Sequence, residues 1–186
     1  MVSPRKIRAL IVLGRPGLAA LLVLLAILAT AFSPHVTMGA SIKEGDVAPV
    51  FTGQDLKGIS RNLQDHIGKD VIMLDFWSIY CVSCVQEMPK LVELHRKYRD
   101  RGFVAFGINL DSFSIRRVKR FVAGLDYDVS YPIIVDRKRE IAGAYKVGVL
   151  PTTIFIGKDG KVKLFHIGYK PGNENEFDDL IKKLLK

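Results

Sequence analysis

Two cysteines three residues apart are the side chains of this sequence best suited to covalent chemistry. Cys81 and Cys84 form the tetrapeptide Cys-Val-Ser-Cys, and they are the chain's only cysteines. An apolar run precedes them and a helical pattern follows, so Cys81 is expected at a helix N-terminus. Unpaired N–H groups and the helix dipole stabilise a thiolate there. We therefore predict that Cys81 is a nucleophile and that Cys84, one turn later, resolves the mixed disulfide that it forms.

Two other roles of this cysteine pair stay open at this point. A structural disulfide closing so short a loop would stabilise the fold little, because the constraint on the unfolded chain shrinks with loop length. A zinc site normally needs four ligands, and the histidines are scattered, with no helical spacing between any two: His35, His66, His95 and His166. We favour redox chemistry, assign no metal ligand, and expect no cofactor beyond the cysteine pair.

Apolar runs alternate with amphipathic stretches around the cysteines. Val71–Trp77 has the pattern of a buried strand, and residues from Cys84 to about Arg101 that of an amphipathic helix. Asp159-Gly160 between two apolar runs predicts a hairpin. These features predict an α/β fold with a central mixed β-sheet flanked by helices. The other predicted parts are a strand-containing lead at Ile42–Gln64, strands at Phe103–Leu110, Tyr131–Val135, Thr152–Ile156 and Val162–Ile167, and helices at Ser114–Leu125, Arg139–Tyr145 and Glu174–Leu185.

Composition limits the class of protein. The 186 residues are 48% hydrophobic and 25% charged, which fits one globular domain, or a small domain with an appendage, and excludes collagen, a disordered tail and a disulfide-stapled miniprotein. The formal net charge is +9, but Met1–Ala40 holds four basic residues and no acidic one, so the remainder carries +5. No dense basic stripe interleaved with aromatic residues occurs in that remainder. Nucleic acid is therefore not expected as a partner.

The first forty residues have the pattern of an export leader. The apolar run Leu18–Phe32 is followed by Ser33-Pro34 and is preceded by four basic residues: Arg5, Lys6, Arg8 and Arg15. The run is shorter than the roughly 20 apolar residues that span a bilayer. A cleaved signal peptide is favoured, and a retained membrane anchor stays open. We expect residues 1–40 to be this leader and 41–186 to be one domain in the periplasm or at the outer face of the cytoplasmic membrane.

Two segments together resemble the thioredoxin superfamily. Asp75–Cys84 (DFWSIYCVSC), with Pro89 five residues further on, is similar to the superfamily's active-site region. Tyr145–Thr152 (YKVGVLPT) is similar to the segment that carries its cis-proline, and Gly168 falls at a family position. The similarity covers about Ala48–Leu185. It implies a thioredoxin-like fold.

Within the superfamily, the sequence resembles the TlpA/ResA/DsbE-like group of membrane-facing thiol-disulfide oxidoreductases, also called redoxin or AhpC/TSA-like. The features that carry this resemblance are the leader, Glu87, Pro89, and an additional helix and strand between Ser114 and Val135. The resemblance therefore implies a thioredoxin-like domain with an inserted helix and strand and an N-terminal strand-containing extension.

The resemblance also implies roles for residues near the cysteines. Leu150-Pro151 should be a cis peptide bond packed against the cysteines, leaving the backbone of Leu150 exposed for an extended substrate chain, with Leu150 and Thr152 as substrate contacts; an ordinary trans proline is the alternative. Asp75 should be a buried acid with a raised pKa that takes a proton from Cys84. The alternative is an Asp that reaches solvent at the strand end.

Other residues near the cysteines are predicted with less specific roles. In the resembled group the glutamate matching Glu87 tunes cysteine acidity, whereas the alternative is a first-turn acid favoured by the helix dipole. Trp77 and Tyr80 are expected to form an apolar rim for a partner, with simple packing as the alternative. Ser83 stands where many relatives have Pro, which leaves the reduction potential and direction of electron flow open. A basic run is predicted to be a solvated face, with an anionic lipid or acidic partner as the alternative: Arg116, Arg117, Lys119 and Arg120.

These features predict an exported oxidoreductase that reduces disulfides in exported proteins. The resemblance implies a membrane reductase of the DsbD/CcdA type as electron donor, and apocytochrome c or similar exported thiols as substrates. An oxidase or isomerase is the nearest alternative. A thiol peroxidase would have a Pro-x-x-x-Thr-x-x-Cys segment; Ser78 lies three residues before Cys81, but the Pro is missing. A copper-binding thiol chaperone would have a wider Cys-x-x-x-Cys and a distant His.

Overall fold

A five-stranded mixed sheet forms the centre of the computed structural model, which describes residues 42–112 and 114–186. The leader predicted at residues 1–40 lies outside the described residues. The sheet has strand order β5-β4-β3-β6-β7. Its strands are β3 at Val71–Trp77, β4 at Phe103–Asn109, β5 at Ile133–Val135, β6 at Thr152–Ile156 and β7 at Val162–Ile167. The predicted mixed α/β architecture is confirmed.

The burial of the central strand β3 accounts for the apolar run at Val71–Trp77. It pairs parallel with β4 on one side and antiparallel with β6 on the other. All seven of its side chains are buried, since layers of packed side chains cover both faces of the sheet. A strand in such a position reads as continuously hydrophobic. Asp75 is the one charged residue type in this apolar strand, and burying its ionised carboxylate costs free energy. It lies near the end of the strand that leads to the cysteines.

Four helices flank this sheet in the described part of the chain: α1 at Val82–Tyr98, α2 at Ile115–Ala123, α3 at Glu140–Ala144 and α4 at Asn173–Leu184. Helix α1 packs its apolar side on the sheet and on α4, where Phe177 and Ile181 are fully buried. Helix α2 begins at the N-cap Ser114, whose hydroxyl accepts a hydrogen bond from the Arg116 N–H. No helix in the described residues combines the length and apolarity needed to cross a bilayer.

The N-terminal extension adds a two-stranded hairpin to this core. Strands β1 (Thr52–Gln54) and β2 (Ser60–Asn62) pair antiparallel. A single bridge between Asp55 and Ile134 joins the hairpin to β5. The predicted strand-containing lead is thus confirmed. The strand predicted at Tyr131–Val135 begins later, at Ile133, because Pro132 has no N–H to donate to a neighbouring strand.

The turn between β6 and β7 is the predicted Asp-Gly hairpin turn. Gly160 has a φ of +72°, which L side chains rarely adopt. Its N–H donates to the Gly157 carbonyl at 2.9 Å. A Cβ atom here would also lie 3.2 Å from the side chain of Ile67.

Replacing this glycine should therefore destabilise the fold. We expect Gly160→Ala to lower the free energy of unfolding by about 1–2 kcal/mol, since a left-handed backbone disfavours Cβ. The matched control is Gly143→Ala in α3, where a Cβ meets nothing within 4 Å; it should leave stability unchanged or raise it by up to about 1 kcal/mol. Urea unfolding measures both, and equal stability of Gly160→Ala and wild type would contradict the prediction.

Candidate active site

The two cysteines form a disulfide at the start of α1. Cys81 is the N-cap residue of this helix, and its sulfur accepts a hydrogen bond from the Cys84 N–H at 3.2 Å. The Cys81–Cys84 disulfide joins Cα atoms 5.2 Å apart. Cys84 is buried, whereas Cys81 is partly exposed. Of the two cysteines, Cys81 is therefore the more accessible to another molecule.

The loop that carries Cys81 is held by a buried carboxylate from the next strand. Asp111, just beyond β4, accepts hydrogen bonds from the Ser78 hydroxyl at 2.6 Å and from the Ile79 N–H at 3.0 Å. Asn109 Nδ2 donates to the same carboxylate at 2.7 Å. The Ser78 hydroxyl in turn accepts from the Tyr80 N–H at 3.2 Å. These bonds fix the backbone between β3 and α1, and so the position of the cysteine pair.

Asp75 is a buried acid, as predicted. Its carboxyl is 2% exposed, and its partner across the antiparallel β3–β6 pair is Thr153. The Tyr131 hydroxyl donates to Asp75 Oδ2 at 3.4 Å. Burial raises the pKa of Asp75 to about 7, although the hydrogen bond from Tyr131 opposes the rise. The alternative of an Asp that reaches solvent is therefore wrong.

Glu87 shares this buried polar region. It is 1% exposed and lies one turn after Cys84, in a helix whose first turn holds no acidic residue. The Thr153 hydroxyl donates to Glu87 Oε1 at 3.3 Å, and within the described residues Oε2 has no hydrogen-bond partner. Burial, and then the charge of Asp75, raise the pKa of Glu87 to about 8. Glu87 is therefore a buried acid that lies beyond the first turn of α1.

The proline segment occupies the start of β6. The Leu150-Pro151 peptide bond is cis, as predicted. The Gly168 N–H donates to the Pro151 carbonyl at 2.8 Å. Leu150 is partly buried and packs against the apolar cluster that contains Cys84. These contacts place the proline segment at the same end of the sheet as the disulfide.

The structure corrects two of the predicted substrate contacts. Trp77 is fully buried, because its side chain fills the apolar cluster with Cys84 and Met88 instead of reaching the surface. Thr152 is 1% exposed because it lies in β6 between β3 and β7, and its hydroxyl donates to the Val149 carbonyl at 2.7 Å. The predictions that Trp77 forms a docking rim and that Thr152 contacts substrate are therefore wrong.

Tyr80, unlike Trp77, lies at the surface of the protein. Its side chain is 61% exposed, and its hydroxyl accepts a hydrogen bond from Arg117 Nη1 at 2.6 Å. Other large apolar side chains are exposed in the segments that border the cysteines and the proline: Val82, Ile115, Val149 and Ile167.

Three residues that organise the site were not predicted from the sequence: Asp111, Thr153 and Tyr131. Asn109 is the last residue of β4 and Asp111 follows the predicted strand Phe103–Leu110, and polar residues at the carboxyl end of a parallel strand are a usable signal. Thr153 and Tyr131 carry no comparable signal, because only the pairing of distant segments brings them to the acids. In residues 42–112 and 114–186 there is no cluster of three or more His, Cys, Asp or Glu that could hold a metal.

Three features together define a thioredoxin-fold thiol-disulfide site. The disulfide lies at the N-terminus of the helix that follows the central strand, a buried acid lies on that strand, and a cis-proline directly precedes the neighbouring strand. The AhpC/TSA family model matches residues 45–165. The ResA thiol-disulfide oxidoreductase of Geobacillus kaustophilus is 37% identical over 146 residues, which are 78% of this chain and 82% of that protein. ResA of Bacillus cereus is 42% identical over 118 residues, or 63% of this chain and 66% of that protein.

A solved structure of a thiol:disulfide interchange protein is also similar to this chain. The crystal structure of a DsbE-type thiol:disulfide interchange protein from Chlorobium tepidum superposes with a TM-score of 0.72 and 30% identity, covering 78% of this chain and all of that one. The chain therefore belongs to the AhpC/TSA family of the thioredoxin superfamily. Within it, the chain is a ResA/DsbE-like thiol-disulfide oxidoreductase.

The Asp111 carboxylate should stabilise the loop before Cys81. We expect Asp111→Asn to lower the free energy of unfolding of the oxidised protein by about 1–3 kcal/mol, because an amide turned toward buried donors leaves one of them unpaired. Urea unfolding measures the change. The exposed Asp126→Asn is the control and should change stability by less than about 0.5 kcal/mol. Similar values for the two variants would contradict the role of Asp111.

Asp75 should also make stability depend on pH. Its pKa rises from 3.8 in the unfolded chain to about 7 in the fold, so between these values the native state holds a proton that the unfolded chain has released. Stability then falls as pH rises through this window, by up to about 1.4 kcal/mol per pH unit. Asp75→Asn should remove this component, so the variant should gain stability relative to wild type from pH 4 to 7.

Urea unfolding at intervals of half a pH unit tests this difference. The control is Asp65→Asn, an exposed acid, for which the difference from wild type should stay level. A level difference for Asp75→Asn as well would show that its carboxyl ionises normally.

Proposed function

We propose that this oxidoreductase reduces disulfides in exported proteins, with precursors of cytochrome c among its substrates. The observation that carries the proposal is the accessible sulfur of Cys81 at a helix N-terminus, with Cys84 and two proton-holding carboxyls buried behind it. The leader pattern at residues 1–40 supports an exported location, in the periplasm or at the outer face of the cytoplasmic membrane. The exposed apolar residues around the cysteines support a protein substrate.

The first step joins the enzyme to its substrate. The thiolate of Cys81 attacks one sulfur of the substrate disulfide, so a bond forms between these two sulfurs and the substrate S–S bond breaks. The second substrate sulfur leaves as a thiolate and takes a proton from water. The Cys84 N–H, 3.2 Å from Cys81 Sγ, and the dipole of α1 stabilise the negative charge on Cys81 before the attack.

The second step releases the substrate. The Cys84 thiol gives its proton to Asp75 and attacks Cys81 Sγ, forming the Cys81–Cys84 disulfide and expelling the first substrate sulfur as a thiolate. A base with a pKa of about 7 suits this transfer near neutral pH. Glu87, linked to the same region by Thr153, assists by holding a proton beside Asp75. The substrate disulfide has then gained two electrons, and the cysteine pair has lost two.

Two electrons must return before another turnover, and the proton held by Asp75 goes back to Cys84. We propose a membrane reductase of the DsbD/CcdA type as the source of the electrons, because its dithiol can reduce the Cys81–Cys84 disulfide by thiol–disulfide exchange. No cofactor beyond the cysteine pair is proposed. The leader, whether removed or retained as an anchor, would place the domain on the side of the membrane where such a reductase delivers electrons.

A trapping variant tests the proposal. Reduced Cys84→Ala, mixed with an oxidised apocytochrome c peptide that contains Cys-x-x-Cys-His, should accumulate a mixed disulfide through Cys81, because no second thiol resolves it. Mass spectrometry under non-reducing conditions measures the adduct. The matched variant Cys81→Ala should form almost none, since Cys84 is buried.

Absence of the Cys84→Ala adduct would contradict the reductase proposal. The thiol peroxidase alternative gives a different result in the same series: the wild-type dithiol would consume hydrogen peroxide faster than it reduces the peptide. Faster reduction of the peptide, with the adduct formed, supports the proposal.

A further inference from the structure

Helix α2 carries a group of exposed cations beside the active site. We call Arg116, Arg117, Lys119 and Arg120 the α2 basic cluster; all four side chains are exposed. The first turn of this helix contains no acidic residue. Within the described residues, Arg116, Lys119 and Arg120 form no ion pair with an acidic side chain. The cluster therefore presents concentrated positive charge to solvent.

This arrangement is unfavourable for the helix alone. Cations near a helix N-terminus oppose the macrodipole, which favours acidic residues there. Arg116 and Arg120 are four residues apart and Arg116 and Lys119 three apart, so like charges lie next to each other on the helix surface. The N-cap Ser114 and the burial of Val118 hold the helix in place despite this repulsion. Helix stability therefore does not account for the cluster.

The cluster borders the nucleophile. The apolar side of α2 packs Val118 and Phe121 into the same group of residues as Trp77 and Cys84. On the solvent side, Arg117 Nη1 donates to the Tyr80 hydroxyl at 2.6 Å, and Tyr80 directly precedes Cys81. A substrate chain that places a disulfide on Cys81 thus has the cations within reach of its flanking residues.

We propose that the α2 basic cluster binds an acidic segment that flanks the disulfide of a protein substrate. The inference rests on the proposed function and adds to it a substrate preference. Opposite charge at the rim of a docking surface mainly raises the association rate. An anionic membrane is the less suitable occupant, because a bilayer laid against α2 would lie over Tyr80 and hinder a protein from reaching Cys81.

Two matched peptides test the proposal. Each contains one disulfide; the first has four Asp or Glu residues beside it, and the second has Asn or Gln at the same positions. We expect the reduced wild-type protein to react with the acidic peptide about tenfold faster at low salt. The two rates should converge at about 1 M salt, where charges are screened within a few ångströms. Quenched-flow mass spectrometry measures both rate constants.

A charge-reversed variant locates the effect. Arg116→Glu, Lys119→Glu and Arg120→Glu together should abolish the preference and leave the rate with the neutral peptide unchanged; Arg117 is kept because it contacts Tyr80. The matched control reverses three exposed lysines that are far from α2 in sequence: Lys158→Glu, Lys161→Glu and Lys183→Glu. They lie on the β6–β7 turn and in α4. This control should retain most of the preference. Thermal unfolding verifies that both variants fold.

The outcomes separate this inference from the proposed function. Equal rates of the wild type with both peptides would overturn the inference alone, whereas no reaction with either peptide would overturn the proposed function. Equal loss of preference in both triple variants would show that net charge, not the cluster, is responsible, and would also overturn the inference. The inference would also be overturned if the two peptides reacted at equal rates and the wild type, but not the α2 variant, bound to phosphatidylglycerol vesicles. That result would show that the cluster binds a membrane.

Discussion

The burial of two carboxyl groups behind a disulfide is the constraint on which the rest of the site depends. Asp75 lies on the central strand β3 and Glu87 on the helix α1 that packs against the sheet. Thr153, the partner of Asp75 on β6, hydrogen-bonds to Glu87. Removing an ionised carboxylate from water is costly unless it is paired, and the described residues place no cation beside either acid. The fold therefore raises the pKa of the two carboxyls to about 7 and about 8, so that an ionised Asp75 is basic enough to take the proton of Cys84 near neutral pH.

The remaining structure positions the cysteines around this buried region. Cys81 is held at the N-cap of α1 by the loop before it, which is tied to Asp111, a residue just beyond the neighbouring parallel strand β4. Trp77 fills the space beneath Cys84 together with the apolar side of α2. The two sides of the inserted helix α2 make different contacts. Its apolar side packs in the cluster that contains Cys84, and its charged side lies at the surface beside Tyr80.

Features that depend on local pattern were predictable from the sequence, whereas features that depend on the meeting of distant segments were not. The bounds of β3, the Asp-Gly turn and the N-cap Ser114 follow from burial, backbone preference and side-chain capping within a few residues. The burial of Trp77 was missed because a strand covered on both faces gives no alternation that tells which side chains reach the surface. Thr153 and Tyr131 were missed because only the pairing of β6 with β3, and the packing of the segment before β5, bring them to Asp75 and Glu87.

The ionisation of the two buried acids is the most direct test of this account. Carbon-13 NMR of the side-chain carboxyls of Asp75 and Glu87 in the oxidised protein, titrated from pH 3 to 10, reports it without reference to stability or turnover. The account predicts that both carboxyls are still protonated at pH 6, with titrations centred near 7 and 8 and coupled to each other. Titration of both groups below pH 5 would contradict it, because neither carboxyl would then be held protonated behind the disulfide.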